Sequence, residues 1–262
     1  MKERMKRLMR RVRQEGELPS SSVIVNETFQ RTGYTKENVE PSYILNNFND
    51  ILREIWEETL VTLENYEEQS YSLGIADNLM REFPDEFGEA ERVANQRGFR
   101  EGVLTLFGSW YLQLRMAFLS VSQSRKQRGG TDFELQTERL FDLAGITYTR
   151  QERHNRTDLM LPDVETFTRN RNIAVIVSLK RTLRERWAEV AEELFNLRSP
   201  NVYLFTADEG ITDNHVNRIC DDYNIHLVVW DSVKEEKFQD RELVLGYTEW
   251  ASDRLPILME RW

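Results

Sequence analysis

The apolar positions of this chain change period near residue 128. Ahead of that point they recur at helical spacing. Met1, Met5, Leu8, Met9 and Val12 mark one face of an amphipathic N-terminal helix. Ile44, Leu45, Phe48, Ile51, Leu52, Ile55, Trp56, Leu60 and Leu63 mark a longer helix, for which Pro41-Ser42 is the start signal. Val103 to Val121 reads as another long helix, so rich in Leu, Phe, Trp and Met that burial on several sides is expected, with Phe107, Trp110, Tyr111 and Phe118 as core. Residues 35–38 and 83–86 separate shorter helices, and SRKQRGG at 124–130 punctuates the chain.

Beyond that segment the pattern alternates. FELQTERLFDLAGI reads as a helix ending at Gly145, ITYTRQE as a strand, residues 153–156 as a turn and TDLML as a second short strand. IAVIVSL is a continuous apolar run of strand length, enriched in β-branched residues. Residues 184–197 read as a helix burying Trp187, Val190, Ala191 and Leu194, with Leu183 just ahead of it. NVYLFTA, ITDNHVNRICDDY and IHLVVW then give strand, helix and strand. This order predicts an α/β fold, a mixed sheet with helices on both faces, preceded by an all-α region. The expected domains are residues 1–123, helical, for DNA contact or oligomerisation, and residues 124–262, carrying the chemistry.

Composition narrows the chemistry. At 262 residues and 40% hydrophobic the chain can bury a substantial core. It has no secretory h-region and no long apolar run, so no membrane partner is expected and a cytoplasmic location is. One cysteine, Cys220, read as a buried small hydrophobe, and three scattered histidines, His154, His215 and His226, leave carboxylates as the metal ligands, which suits Mg²⁺. The net charge of -10 argues against a polyanion partner, but the charge is uneven. Seven Lys or Arg stand in the first thirteen residues, SRKQR is basic, and acid gathers at 54–68 and 231–242. A cleft can therefore be locally positive.

Asp158 enters TDLML, Lys180 closes IAVIVSL, and Glu193 lies on the following helix. A carboxylate and an amine at neighbouring strand ends, with a second carboxylate added from the helix, form the inventory for metal-assisted phosphodiester hydrolysis. The plain alternative is a surface aspartate with a lysine ending a strand. Arg184-Glu185-Arg186 follows at once, and arginine forks match guanine O6 and N7 while a glutamate accepts from cytosine N4. Its plain alternative is a solvated helix start. His154 is expected in an exposed turn, and Trp230 in the core or an interface.

The pattern Lys180-x3-Arg184-Glu185-Arg186-x6-Glu193, with Asp158 upstream, resembles the PD-(D/E)XK type II restriction endonucleases that read CCGG or CC-x-GG, the group of NgoMIV, SsoII, PspGI, EcoRII and BsaWI. In that group the last carboxylate has moved from strand to helix, with a small residue in its old place, here Ser178. The resemblance covers roughly residues 124–200. It implies a Mg²⁺-dependent enzyme cutting double-stranded DNA at a short palindrome, with Asp158, Glu193 and Glu134 as metal carboxylates and Lys180 acting on the attacking water. Arg184, Glu185 and Arg186 would read bases, and Arg125 and Arg128 would touch phosphates. It further implies a homodimer or higher oligomer and a cognate DNA methyltransferase in a prokaryotic cytoplasm, and the helical region makes BsaWI the most similar member expected. The dipeptide Pro162-Asp163 stands five residues past the chosen aspartate, and Asp163 is expected in a loop. Two alternatives stay open: a nuclease of this fold without sequence preference, and a non-catalytic DNA-binding scaffold.

Overall fold

The computed structural model describes residues 2–15, 18–150, 157–183 and 187–262. Six helices come first: α1 (Lys2–Glu15), α2 (Ser21–Thr32), α3 (Pro41–Asn46), α4 (Phe48–Glu82), α5 (Pro84–Arg97) and α6 (Phe99–Ala144). Proline opens α3 and α5, where its missing N–H removes a donor that would be orphaned anyway. The long helix expected from Pro41 is interrupted at Asn47 and then continues to Glu82.

The break expected at 124–130 does not occur, because α6 runs through both glycines. Gly129 is buried, and a Cβ there would collide with the Arg181 guanidinium, which lies over the Trp56 ring at 5.0 Å. The glycine makes room for a neighbouring side chain inside a helix. The helix does end where expected, with Gly145 at φ 70°, the left-handed conformation that terminates helices.

The strands are β1 (Thr149–Arg150), β2 (Leu159–Leu161), β3 (Val175–Lys180), β4 (Val202–Thr206), β5 (His226–Val229) and β6 (Val244–Gly246). Between them lie α7 (Val164–Arg169), α8 (Trp187–Phe195), α9 (Asp213–Val216), a π-turn at Asn217–Asp222, and α10 (Asp231–Lys237). The chain ends in α11 (Tyr247–Glu249), a π-turn at Trp250–Arg254, and α12 (Leu255–Met259). The sheet order is β1-β2-β3-β4-β5-β6, antiparallel through β3 and parallel from β3 onward. The expected strands form; α7 and β6 are additions the pattern did not disclose, since VETFTR and VLG are too short to show a period.

The described chain divides into two compact units, Met1–Ile24 with Thr59–Arg128, and Val25–Glu58 with Gly129–Trp262. Residues 25–58, expected with the helical region, pack against the sheet instead. Phe48 sets its ring 6.1 Å from Phe141 and 6.3 Å from Trp250, and Trp250 stacks on Phe141 at 5.6 Å. The Asn49 side chain accepts from the Asp231 N–H at 2.9 Å.

In the helical unit Leu8, Ile75, Leu79, Phe83, Trp110 and Ala117 form a core, and Arg7 and Arg11 of α1 pair with Glu82 at 3.1 and 3.2 Å. Gly102 lets α6 approach α5 so closely that a Cβ would stand 2.5 Å from the Ala94 methyl. Of the four aromatic residues expected as core in α6, only Trp110 is buried; Phe107, Tyr111 and Phe118 are 64%, 62% and 61% exposed. Among the described residues no helix is long and apolar enough to cross a membrane.

Candidate active site

The site begins where β2 and β3 pair. Leu159 opposes Val177, and the Asp158 N–H donates to Val177 O at 3.1 Å, so the register extends to place Asp158 opposite Ser178. Cross-strand partners share a face, and so do residues two apart on a strand, which puts Lys180 on that face as well. The side chains confirm the register. Asp158 Oδ2 accepts from Ser178 Oγ at 3.1 Å, from the Leu179 N–H at 2.5 Å and from Lys180 Nζ at 2.9 Å. Lys180 Nζ also donates to Leu179 O at 3.0 Å. Both charged groups keep solvent contact, with side chains 30% and 22% exposed for Lys180 and Asp158.

Glu134 enters from α6. Burial raises its carboxyl above the ordinary range, the negative charge of Asp158 pushes the same way, and Lys180 and Arg150 oppose. Those influences place it in the field of the Asp158–Lys180 pair. Arg150 of β1 reaches Glu134 at 3.4 Å and Glu138 at 3.3 Å. Glu138 is raised as well, first by burial, with Arg150 opposing and Glu134, Asp142 and Asp158 adding. Neither Glu138 nor Arg150 was expected at the site, although Glu134 and Glu138 stand four apart, on one helical face, in FELQTERL.

Glu193 lies partly buried on α8. Among the described residues no group of three or more His, Cys, Asp or Glu side chains is close enough to hold a metal ion, so Asp158, Glu134 and Glu193 are not gathered into one cage. The donors of the site suit a hard dication all the same. A partly buried carboxyl whose ionisation is opposed by burial and by a neighbouring carboxylate is one that a cation between them would favour. Asp158 and Glu134 would be the oxygens facing it.

Asp163 has another task. It caps α7, accepting from the Thr166 N–H at 2.7 Å, and that hydrogen bond lowers its carboxyl. The dipeptide Pro162-Asp163 is thus a helix start.

Arg184, Glu185, Arg186 and His154 lie outside the described residues. The segment before the arginine block is anchored: the Leu183 N–H donates to Asp208 Oδ2 at 2.8 Å, and Gly210 donates to the other oxygen at 2.8 Å. Asp208 carries no signal in the sequence for this role. Arg125 and Arg128, expected at phosphates, have partners within the helical unit in the DNA-free chain. Arg125 bonds Glu67 and lies 3.4 Å from Glu64, while Arg128 donates to Pro19 O at 2.6 Å. An arginine whose fork is matched by a neighbouring carboxylate or carbonyl offers fewer donors to a phosphate.

Comparisons with known proteins bear on this geometry. The family model described as EcoRII C terminal matches residues 89–249. The type II restriction enzyme SsoII of Shigella sonnei is 25% identical over 250 residues, 91% of this chain and 77% of that protein. Metal-depleted Ecl18kI in complex with uncleaved DNA superimposes with a TM-score of 0.78 at 24% identity, over 98% of this chain and 84% of that one. The PspGI–substrate DNA complex gives a TM-score of 0.61 at 18% identity, over 96% of both chains. A restriction-endonuclease fold, carrying a strand-end aspartate and lysine in direct contact, and a family match over more than half the chain converge: this protein belongs to the EcoRII C-terminal family and is a homologue of type II restriction endonucleases.

Proposed function

We propose that the protein is a Mg²⁺-dependent type II restriction endonuclease that makes double-strand breaks at a short palindromic DNA site containing CCGG or its interrupted form CC-x-GG. The observation that carries this reading is the 2.9 Å contact between Asp158 and Lys180 at the paired ends of β2 and β3. It supplies a carboxylate and an ammonium to one point, on a face that Glu134 also faces from α6.

When bound, the metal neutralises phosphate charge and lowers the pKa of a water. Asp158 and Glu134 would hold it; Glu193 of α8 is the further carboxylate the resemblance assigns, and it would have to move toward them to join the donor set. Ser178 Oγ and the Leu179 N–H fix the Asp158 carboxylate so that one oxygen stays committed to the protein. Lys180 stands beside that carboxylate with its ammonium positioned to orient the attacking water and to meet the charge that grows on the phosphoryl oxygens. Arg184, Glu185 and Arg186 follow Lys180 within a few residues, so base reading and chemistry share one segment of chain, and a palindrome requires the same block twice, from two copies.

Digestion of plasmid DNA in Mg²⁺ tests the reading. Discrete bands whose sequenced ends fall at one CCGG or CC-x-GG site are expected. A smear would assign the chain to the sequence-independent nucleases, and uncut DNA to the scaffolds.

A further inference from the structure

Lys180 closes β3 opposite Thr206 of β4, so the two parallel strands deliver their chain ends side by side. Asp208 stands two residues past Thr206, and Leu183 three past Lys180. There the two ends are tied together. Asp208 Oδ2 accepts from the Leu183 N–H and Oδ1 from the Gly210 N–H, each at 2.8 Å. The Leu183 side chain is buried, so packing fixes where the residue lies. The hydrogen bond adds the rotation of the planar peptide that leads into it, and with that the heading of the chain one residue before Arg184.

The turn that presents Asp208 is itself held from its other side. Trp230 Nε1 donates to Ala207 O at 3.1 Å, and Lys237 Nζ to Glu209 O at 2.8 Å. Arg53 reaches Glu209 Oε1 at 3.2 Å while its guanidinium lies over the Trp230 ring at 4.7 Å. The Asp208 N–H donates to Thr206 Oγ1 at 3.2 Å. A turn fastened to α4, Trp230 and α10 thus turns one acceptor towards the continuation of β3. That acceptor has to be a carboxylate, because two N–H donors face it and an asparagine would set its NH2 against one of them.

We infer that Asp208 is a positioning residue for base reading: by holding the Leu183 N–H it sets the register of Arg184-Glu185-Arg186 against the base edges. The Asp158–Lys180 contact fixes the other end of the same span, so chemistry and base reading are held in register by two aspartates from two different strands. A bidentate contact between arginine and guanine tolerates little misplacement, whereas phosphate contacts form at every register of the duplex. Loss of Asp208 therefore weakens binding to the cognate site and leaves binding to other DNA unchanged. The inference rests on the proposed function, since the block must read bases for its register to matter, and it names what aims the block.

Equilibrium gel shifts of the full chain in Ca²⁺, on a duplex carrying a CCGG or CC-x-GG site and on one without it, test the inference with the wild type, Asp208→Ala and Asp208→Asn. The ratio of the two affinities is expected to fall about 10- to 100-fold in Asp208→Ala, the weight of a hydrogen bond to a carboxylate, and to fall through the cognate duplex alone. Asp208→Asn, which keeps one acceptor oxygen in the same shape, is expected to fall in the same direction by less. Circular dichroism and urea denaturation of each variant establish that it is folded, and if the alanine variant does not fold the same comparison is made with asparagine. An unchanged ratio in a folded variant overturns the inference. So does an equal weakening on both duplexes, which is what a merely structural role produces by reducing the active fraction. A wild type that binds the two duplexes alike refutes the proposed function and this inference with it, whereas a discriminating wild type beside equally discriminating variants refutes the inference alone.

Discussion

At the scale of single residues, the site depends on how much is asked of one carboxylate oxygen. Asp158 Oδ2 accepts three donors, one of them charged, which leaves the other oxygen for a cation. Asp158→Ala and Lys180→Ala are each expected to abolish cleavage, by at least ~10³-fold in single-turnover rate, because they remove electrostatic stabilisation where charge develops. Specific binding in Ca²⁺ should survive both, and a gel-shift assay beside the cleavage assay distinguishes lost chemistry from lost binding. Arg186→Ala is expected to do the opposite, costing roughly 1–3 kcal/mol of discrimination at one base pair. Arg150 gives a prediction with a sign. Its guanidinium opposes the burial that raises Glu134 and Glu138, so Arg150→Ala should raise both further. The acid limb of the pH–rate profile should then move to higher pH, whereas an unmoved limb with a lower plateau would mean that Arg150 serves only to hold the structure.

At the scale of elements, what the sequence discloses follows the length of the periodic run. IAVIVSL, NVYLFTA and IHLVVW are buried on both faces, so their apolar character is continuous, and all three become strands of the parallel half of the sheet. Lys180 and Asp158 were legible because strand ends are where a charged residue breaks such a run. Glu138 and Arg150 were not, because their role exists only once β1 lies beside β2 and α6 packs nearby. The continuity of α6 was misread for a local reason: Gly129-Gly130 is a turn signal unless a neighbour fills the space, and Arg181 does so. Gly129→Ala should therefore destabilise the protein although alanine favours helices. Displacing Arg181 from Trp56 is an overpacking change, expected to cost about 1–3 kcal/mol in urea denaturation. Gly130→Ala, with nothing within 4 Å of its Cβ, is the control and should be neutral or stabilising by up to about 1 kcal/mol. The exposed residues of α6 were misread because apolar character alone does not report which side of a helix its own unit covers.

At the scale of the whole molecule, stability at acid pH is set partly by a residue far from the chemistry in sequence, on β5. His226 is 7% exposed, its ring stacks on Tyr203 at 4.7 Å, and burial, aided by the charge of Arg254, lowers it from 6.5 to about 4. A folded value below the unfolded one means that the unfolded chain binds the extra proton between those limits. The contribution of His226 is therefore complete above pH 6.5 and is lost as the pH falls towards 4, on the order of 3 kcal/mol at most. Glu134 and Glu138, whose carboxyls are raised, act in the reverse sense, since stability from them falls as the pH rises through their folded values. The two effects oppose each other as the solution is acidified, so the wild-type curve alone does not separate them. Comparison with His226→Gln does. That variant keeps a polar side chain on β5 and removes the titration, so its urea-unfolding free energy should fall less steeply than that of the wild type between pH 6.5 and 4. Parallel curves would mean that His226 makes no contribution to the acid sensitivity and that the histidine accepts its proton without unfolding the sheet around it.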